Sequence, residues 1–196
     1  MAESARLTTL ERICRGIDLV NDRIGRAVAW MALAMVLVQF IVVVLRYVFG
    51  VGSLFLQESI VYLHGTMFMV GAGYTLLHGH HVRVDVFYRG ASARWKACVD
   101  LAGVVFFLVP VCVIIWIFSW PYVTKSWRVV EGSIESSGIP AVFLLKTVLL
   151  AFSVLMILQG VSLALKSVLR LAGVIPPEPP GETADPDAAV VARDSR

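Results

Sequence analysis

TVLLAFSVLMILQGVSLAL, residues 147–165, contains no Asp, Glu, Lys or Arg and is bracketed by Lys146 and Lys166. As a helix rising 1.5 Å per residue it covers roughly the 30 Å of a bilayer's hydrocarbon core. Three further runs, 27–45, 59–77 and 101–120, share that length of about nineteen or twenty residues and the same lack of charge. A soluble four-helix bundle would carry a charged stripe on every helix, and none of the four runs has one. Lipid offers the backbone no hydrogen-bond partner, so each run must satisfy itself as a helix. The expected fold class is all-α integral membrane: four transmembrane helices plus an N-terminal amphipathic helix and a short cytoplasmic interfacial segment.

The rest of the composition fits one membrane domain. The chain has 196 residues, 58% of them hydrophobic, with a mean hydropathy of +0.80, which leaves little for a soluble domain. The expected organisation is a cytoplasmic amphipathic segment 1–26, a four-span domain 27–171, and a disordered tail 172–196 rich in Pro, Asp and small residues. The net charge of +3 is modest, and its placement is more informative. Arginines crowd the segment before the first run, Arg83, Arg89, Arg94 and Lys96 lie between the second and third, and Lys166 and Arg170 follow the fourth. Only Arg46, Lys125, Arg128 and Lys146 fall on the other side. The positive-inside bias then predicts cytoplasmic termini and a cytoplasmic 78–100 connection, with 46–58 and 121–146 outside. Basic residues scattered along membrane boundaries without interleaved aromatics do not make a nucleic-acid site. Cys14 and Cys98 fall near the cytoplasmic face and Cys112 inside a run, so no disulfide is expected. The first apolar run is too long for a signal peptide and no small-residue cleavage site follows it, so it is expected to stay in the mature protein.

Local signals refine the outline. Leu10, Ile13, Ile17, Val20 and Ile24 recur at helical spacing, and Thr8 with Glu11 fits a capping box that predicts a helix start near Thr9. The segment either lies along the inner surface and turns near Gly25, or extends the first span into the cytoplasm. Phe87, Tyr88 and Trp95 would sit at headgroup depth on one side and Trp116, Trp120, Tyr122 and Trp127 on the other. Pro110 in the third run acts as a packing feature or a kink. Gly65 with Ala72, and Gly160 with Ala164, give faces that let helices approach closely.

Candidate chemistry is sparse. The only ionisable side chains expected at depth are His64 and, at the outer end of the second run, Glu58; intramembrane charges are expensive and kept for function. Glu58 is placed to pair with Lys146 or Arg46, or each charge snorkels separately to the headgroups. His64 is expected to be a buried histidine bonded to a neighbouring helix, since the other three runs hold no second histidine for a haem. Gln39, His64 and Gln159 are candidate intramembrane polar contacts. His78, His80, His81 and Asp85 could hold a metal only with a further ligand group, and no metal is expected. No nucleophile with a base, phosphate loop or carboxylate pair appears, so neither catalysis nor a cofactor is expected.

Several motifs carry a family resemblance. GAGYTLLHGHHVRVDVFYRG (71–90), Gln57-Glu58 before the second run, and the EGS…GIP…K series ending at Lys146 closely resemble the small membrane subunit, DctQ-like, of tripartite ATP-independent periplasmic (TRAP) transporters. The resemblance covers nearly all of the chain except its tail, and H-V-R-V-D is its most specific part. It implies a non-catalytic small permease subunit in a bacterial inner membrane. Its implied partners are a large membrane subunit carrying the sodium and substrate sites, a periplasmic substrate-binding protein that docks transiently, and phospholipids. The transported solute is expected to be an organic acid, a carboxylate. Residue by residue, Glu58, His81, Arg83, Asp85 and Lys146 match the family motif, and no substrate-binding residue is expected in this chain. Relatives with a Trp and a second acid before the Glu58 position differ from this chain, which has Phe55 and Gln57 there. The outer connection, with Lys125, Trp127, Arg128, Glu131 and Glu135, is the candidate contact for the binding protein. The competing reading from another class is a small homodimeric proton-coupled four-span exporter, which would need a carboxylate well within a span.

Overall fold

The computed structural model describes residues 2–79 and 92–174, with side chains from residue 9 onward. These residues form four long helices: α1 (Ala2–Val48), α2 (Leu54–Leu77), α3 (Ala93–Arg128) and α4 (Val142–Leu171). All four are long and apolar enough to cross a membrane, and no strand occurs among the described residues. The chain is thus an all-α, four-span membrane protein. His81, Arg83 and Asp85, the expected interfacial segment around Phe87 and Tyr88, and the tail from 175 onward lie outside the described residues.

α1 runs unbroken through Gly25, starting before the predicted Thr9. The N-terminal segment and the first span thus form one continuous helix. Its length is about 70 Å, more than twice the hydrocarbon core. Gly25 lies within the helix and is buried against α2, where a Cβ would overlap Cβ and the ring of Tyr74. The glycine is a close-approach point between α1 and α2.

α2 begins at Ser53, whose hydroxyl accepts the Leu56 N–H at 3.4 Å, and α3 at Ser92, which accepts that of Trp95 at 3.3 Å; both are ordinary N-caps. α3 contains one wide turn, Val104–Leu108, closed by the Val109 N–H donating to the Val104 carbonyl. Pro110 follows directly. A proline cannot donate and its ring crowds the carbonyl four residues back, and the extra residue in that turn makes room for it. α3 then continues through Pro121 to Arg128, so the loop-end connection starts at 129 and not at 121.

α4 is the centre of the packing and touches all three other helices. Its buried residues include Leu150, Ser153, Met156, Gln159 and Ser162, a ridge at three-residue spacing. Ser153, Ser162 and Ser167 are fully buried. Small side chains let neighbouring backbones come close without a bulky core. Gly160 extends this seam, since a Cβ there would lie 2.7 Å from Leu108 Cδ2, at the end of the wide turn of α3. The large apolar side chains point the other way. Trp30, Phe40, Phe68, Phe106, Phe107 and Phe118 are all exposed on the outside of the four-helix unit, as expected where lipid or another protein is the solvent.

Candidate functional site

At the end carrying the 49–53 and 129–141 connections, one carboxylate organises a loop. Glu58, in the second turn of α2, receives the Ser133 hydroxyl on Oε1 at 2.5 Å and the Ile139 backbone N–H on Oε2 at 2.6 Å. The Ser133 N–H donates to the Ile139 carbonyl at 3.1 Å, so the two strands of the loop also hold each other. Gly138 is required here because a Cβ would lie 2.7 Å from Glu58 Oε1 and would strike the Ser133 hydroxyl as well. Gly132 packs against the Pro140 backbone, which a Cβ would meet at 3.2 Å.

A second charge pair completes the clamp. Lys146, in the first turns of α4, donates to Glu131 Oε2 at 2.5 Å and lies 4.0 Å from the centre of the Tyr122 ring, while the Phe143 N–H donates to the Glu131 carbonyl. Trp127 Nε1 donates to the Thr147 hydroxyl at 2.8 Å and its ring meets Phe143 edge-on. The EGS…GIP…K series is therefore one structure, a loop folded back onto a carboxylate of α2 and a lysine of α4. Glu58 pairs with neither Lys146 nor Arg46. Lys146 has Glu131 only fifteen positions away, and the Glu58 oxygens are taken by loop donors that also need a partner.

Two predictions arise from this geometry. The hydrogen bond from Lys146 holds the Glu131 carboxyl below its ordinary value of 4.5. A depressed folded-state pKa contributes stability that is present above the ordinary value and lost as pH falls through the depressed one. Proteolytic protection of the 129–141 loop should hold from neutral pH down to the ordinary carboxylate range and fail below it. In Lys146→Met, protection should be weaker at neutral pH and change less with acid. The second concerns Val130, which has φ of 47° at the end of α3, where the Glu131 N–H closes back on the Ser126 carbonyl at 3.0 Å. This is a Schellman ending with a β-branched residue in glycine's position. Val130→Gly relieves about 1–2 kcal/mol of left-handed strain against about 0.5–1 kcal/mol of added chain entropy, so a net stabilisation of up to about 1.5 kcal/mol is expected in a thermal melt.

At the other end a polar seam joins α1 to α4. Asp18 Oδ1 accepts from Gln159 Nε2 at 3.1 Å and from the Ser162 hydroxyl at 2.8 Å, and Oδ2 accepts from Lys166 Nζ at 2.6 Å. Asn21 Nδ2 donates to Gln159 Oε1 at 2.9 Å, and Asn21 is itself buried against Gly73 of α2. Asp22 bonds Arg26 and lies 3.8 Å from His78 Nε2, which ties the end of α2 to α1. Sequence reading found Gln159 but missed its partners Asp18 and Asn21, and missed Ser162 and Lys166, which share Asp18 with it. The signal was present in the helical spacing of Gln159, Ser162 and Lys166, and of Asp18 with Asn21 and Asp22.

Other expected positions fall elsewhere. His64 is exposed and stacks on Phe68 of its own helix, with ring centres 6.3 Å apart; it bonds no neighbouring helix, because its face of α2 turns away from the bundle. Gln39 is likewise exposed. Lys125, Trp127, Arg128 and Glu135 are exposed around the clamp, whereas Glu131 is partly withdrawn into it. Among the described residues no group of three or more His, Cys, Asp or Glu is placed to hold a metal ion.

The fold and its two polar sites define a polytopic helical membrane protein in which Asp18, Glu58, Glu131, Lys146 and Lys166 join its own helices and loops. The family model described as "Tripartite ATP-independent periplasmic transporters, DctQ component" matches residues 35–170. The chain belongs to the DctQ family and is a small permease component of such a transporter. Comparison with the curated proteins and with the solved structures found no match.

Proposed function

We propose that this subunit is a non-catalytic brace for the large membrane subunit of a sodium-driven, binding-protein-dependent importer of an organic acid, with the solute path lying in that larger chain. The supporting observation is the fate of the polar side chains in α1 and α4. Asp18, Asn21, Gln159, Ser162 and Lys166 are bonded to one another across the helix junction, which consumes the groups a solute or ion would need. The exposed surface that remains is largely aliphatic and aromatic, suited to lipid and to another membrane protein.

In this reading the arginine-rich end of α1 faces the cytoplasm of a bacterium and the clamped loop faces the periplasm. The clamp gives the binding protein a fixed surface edged by Lys125, Trp127, Arg128 and Glu135. Rim charges of this kind act mainly on encounter rate, so reversing Arg128 and Glu135 together should slow uptake at limiting binding protein and at low salt. Unchanged uptake in that variant removes the docking role. The central test is reconstitution. Liposomes holding this chain with its large subunit and binding protein should accumulate a carboxylate on a sodium gradient, and liposomes holding this chain alone should not. Accumulation, or proton-driven export, by this chain alone overturns the brace.

A further inference from the structure

The outward face of α1 changes character in a definite order. Arg12, Arg15, Leu19, Arg23 and Arg26 follow one another at three- and four-residue steps and all are exposed. The same steps continue to Trp30, Leu33 and Leu37, which are 72%, 51% and 54% exposed. One stripe therefore passes from guanidinium through indole to aliphatic side chains along a single continuous helix. One acid borders it: Asp22, one turn before Arg26, is bonded to Arg26 and lies 3.8 Å from His78 Nε2, while Asp18 is bonded to α4. Among the described residues Arg12, Arg15 and Arg23 have no ion-pair partner, and Arg26, although paired with Asp22, keeps 66% of its side chain exposed.

We infer that the Arg23–Arg26–Trp30–Leu33–Leu37 stripe is a binding face for an anionic phospholipid of the leaflet at this end of the protein. From Arg26 to Leu37 is about 16 Å along the helix, close to half of the roughly 30 Å hydrocarbon core. The order of groups is the order a lipid presents them: phosphate against the two arginines, the ester region against Trp30, and an acyl chain along Leu33 and Leu37. The stripe is also continuous with the apolar outer surface of α1, so the acyl chain needs no separate groove. Arg12 and Arg15 lie about 12–21 Å farther out, around or beyond one Debye length, and add only weak attraction.

The test is lipid competition on the purified full-length chain in detergent, with retained phosphatidylglycerol and phosphatidylcholine counted by native mass spectrometry. Phosphatidylglycerol should be preferred, and the preference should fall about fivefold in Arg23→Gln and stay near wild type in Arg23→Lys. Arg12→Gln with Arg15→Gln should change it less, Arg46→Gln at the opposite end should leave it unchanged, and added inorganic phosphate should not compete. As a readout that needs no variant, a photoactivatable phosphatidylglycerol should label α1 between Arg23 and Leu37 in the wild-type chain. Equal retention of both lipids by the wild type, no loss in Arg23→Gln, or labelling confined to other helices overturns the inference. So does an Arg23→Gln chain that keeps its lipid preference but no longer copurifies with the large subunit, because the face is then a protein interface.

Discussion

Asp18→Ala is expected to destabilise the helix bundle by about 3 kcal/mol, the lower part of the range for removing one partner of a buried ion pair. One carboxylate serves three donors of α4: Gln159, Ser162 and Lys166. The pair is only partly exposed, with 21% of the Asp18 side chain and 30% of Lys166 accessible, so water compensates poorly for the loss. Without the carboxylate a lysine, an amide and a hydroxyl all point at an apolar side chain, and each unpaired donor carries its own desolvation penalty. Asp18→Asn keeps an acceptor for one or two of the donors and should cost less. Combining Asp18→Ala with Lys166→Met removes the orphaned charge and should recover a measurable part of the loss. Unfolding in mixed detergent micelles reads all three. Strictly additive losses in the double variant would show that Asp18 and Lys166 are not energetically coupled.

Gly25→Leu is expected to be comparably damaging, at about 3 kcal/mol, the upper part of the usual range for overpacking. The obstacle is the Cβ and ring of Tyr74. The Cβ is fixed to the α2 backbone and cannot swing aside as the tip of a long side chain could. A side chain at position 25 must therefore push α1 away from α2, along one of the two most extensive helix contacts among the described residues. The penalty should reach beyond the site, because Asn21 and Asp22 lie one turn away and their bonds to Gln159 and toward His78 depend on the same spacing. Adding Tyr74→Gly to Gly25→Ala, which exchanges the small residue across the contact, should restore most of the stability lost in Gly25→Ala. A melting temperature unchanged in Gly25→Leu would mean that α1 and α2 do not meet there.

These two variants address features of unequal visibility in the sequence. The four spans were legible because charge is excluded from hydrocarbon so strongly that its absence over about nineteen residues carries the signal alone. Glu58 and Lys146 stood out for the same reason, as charges at the edge of such runs. Their partners did not. Glu58 reaches Ser133 and the Ile139 backbone, seventy-five and eighty-one positions away, and a backbone N–H leaves no trace in a residue pattern. His64 and Gln39 were read as inward-facing on the rule that polar groups seek partners, and both face out. In a helix that is apolar all round, the pattern that marks the inner face of a soluble helix is missing, so spacing alone cannot say which way a polar residue points.

The sequence by itself determined the number of spans, the helical class and the family, since each follows from short-range composition or motif. Only the tertiary structure decided that α1 is one continuous helix, that Asp18 bonds to α4, that the EGS…GIP…K series closes on Glu58, and that a widened turn precedes Pro110. Those outcomes depend on which helix faces come together. In a membrane that choice is set by close packing of small residues and by a few long-range polar bonds, whose energies belong to pairs of distant positions and to neither one alone.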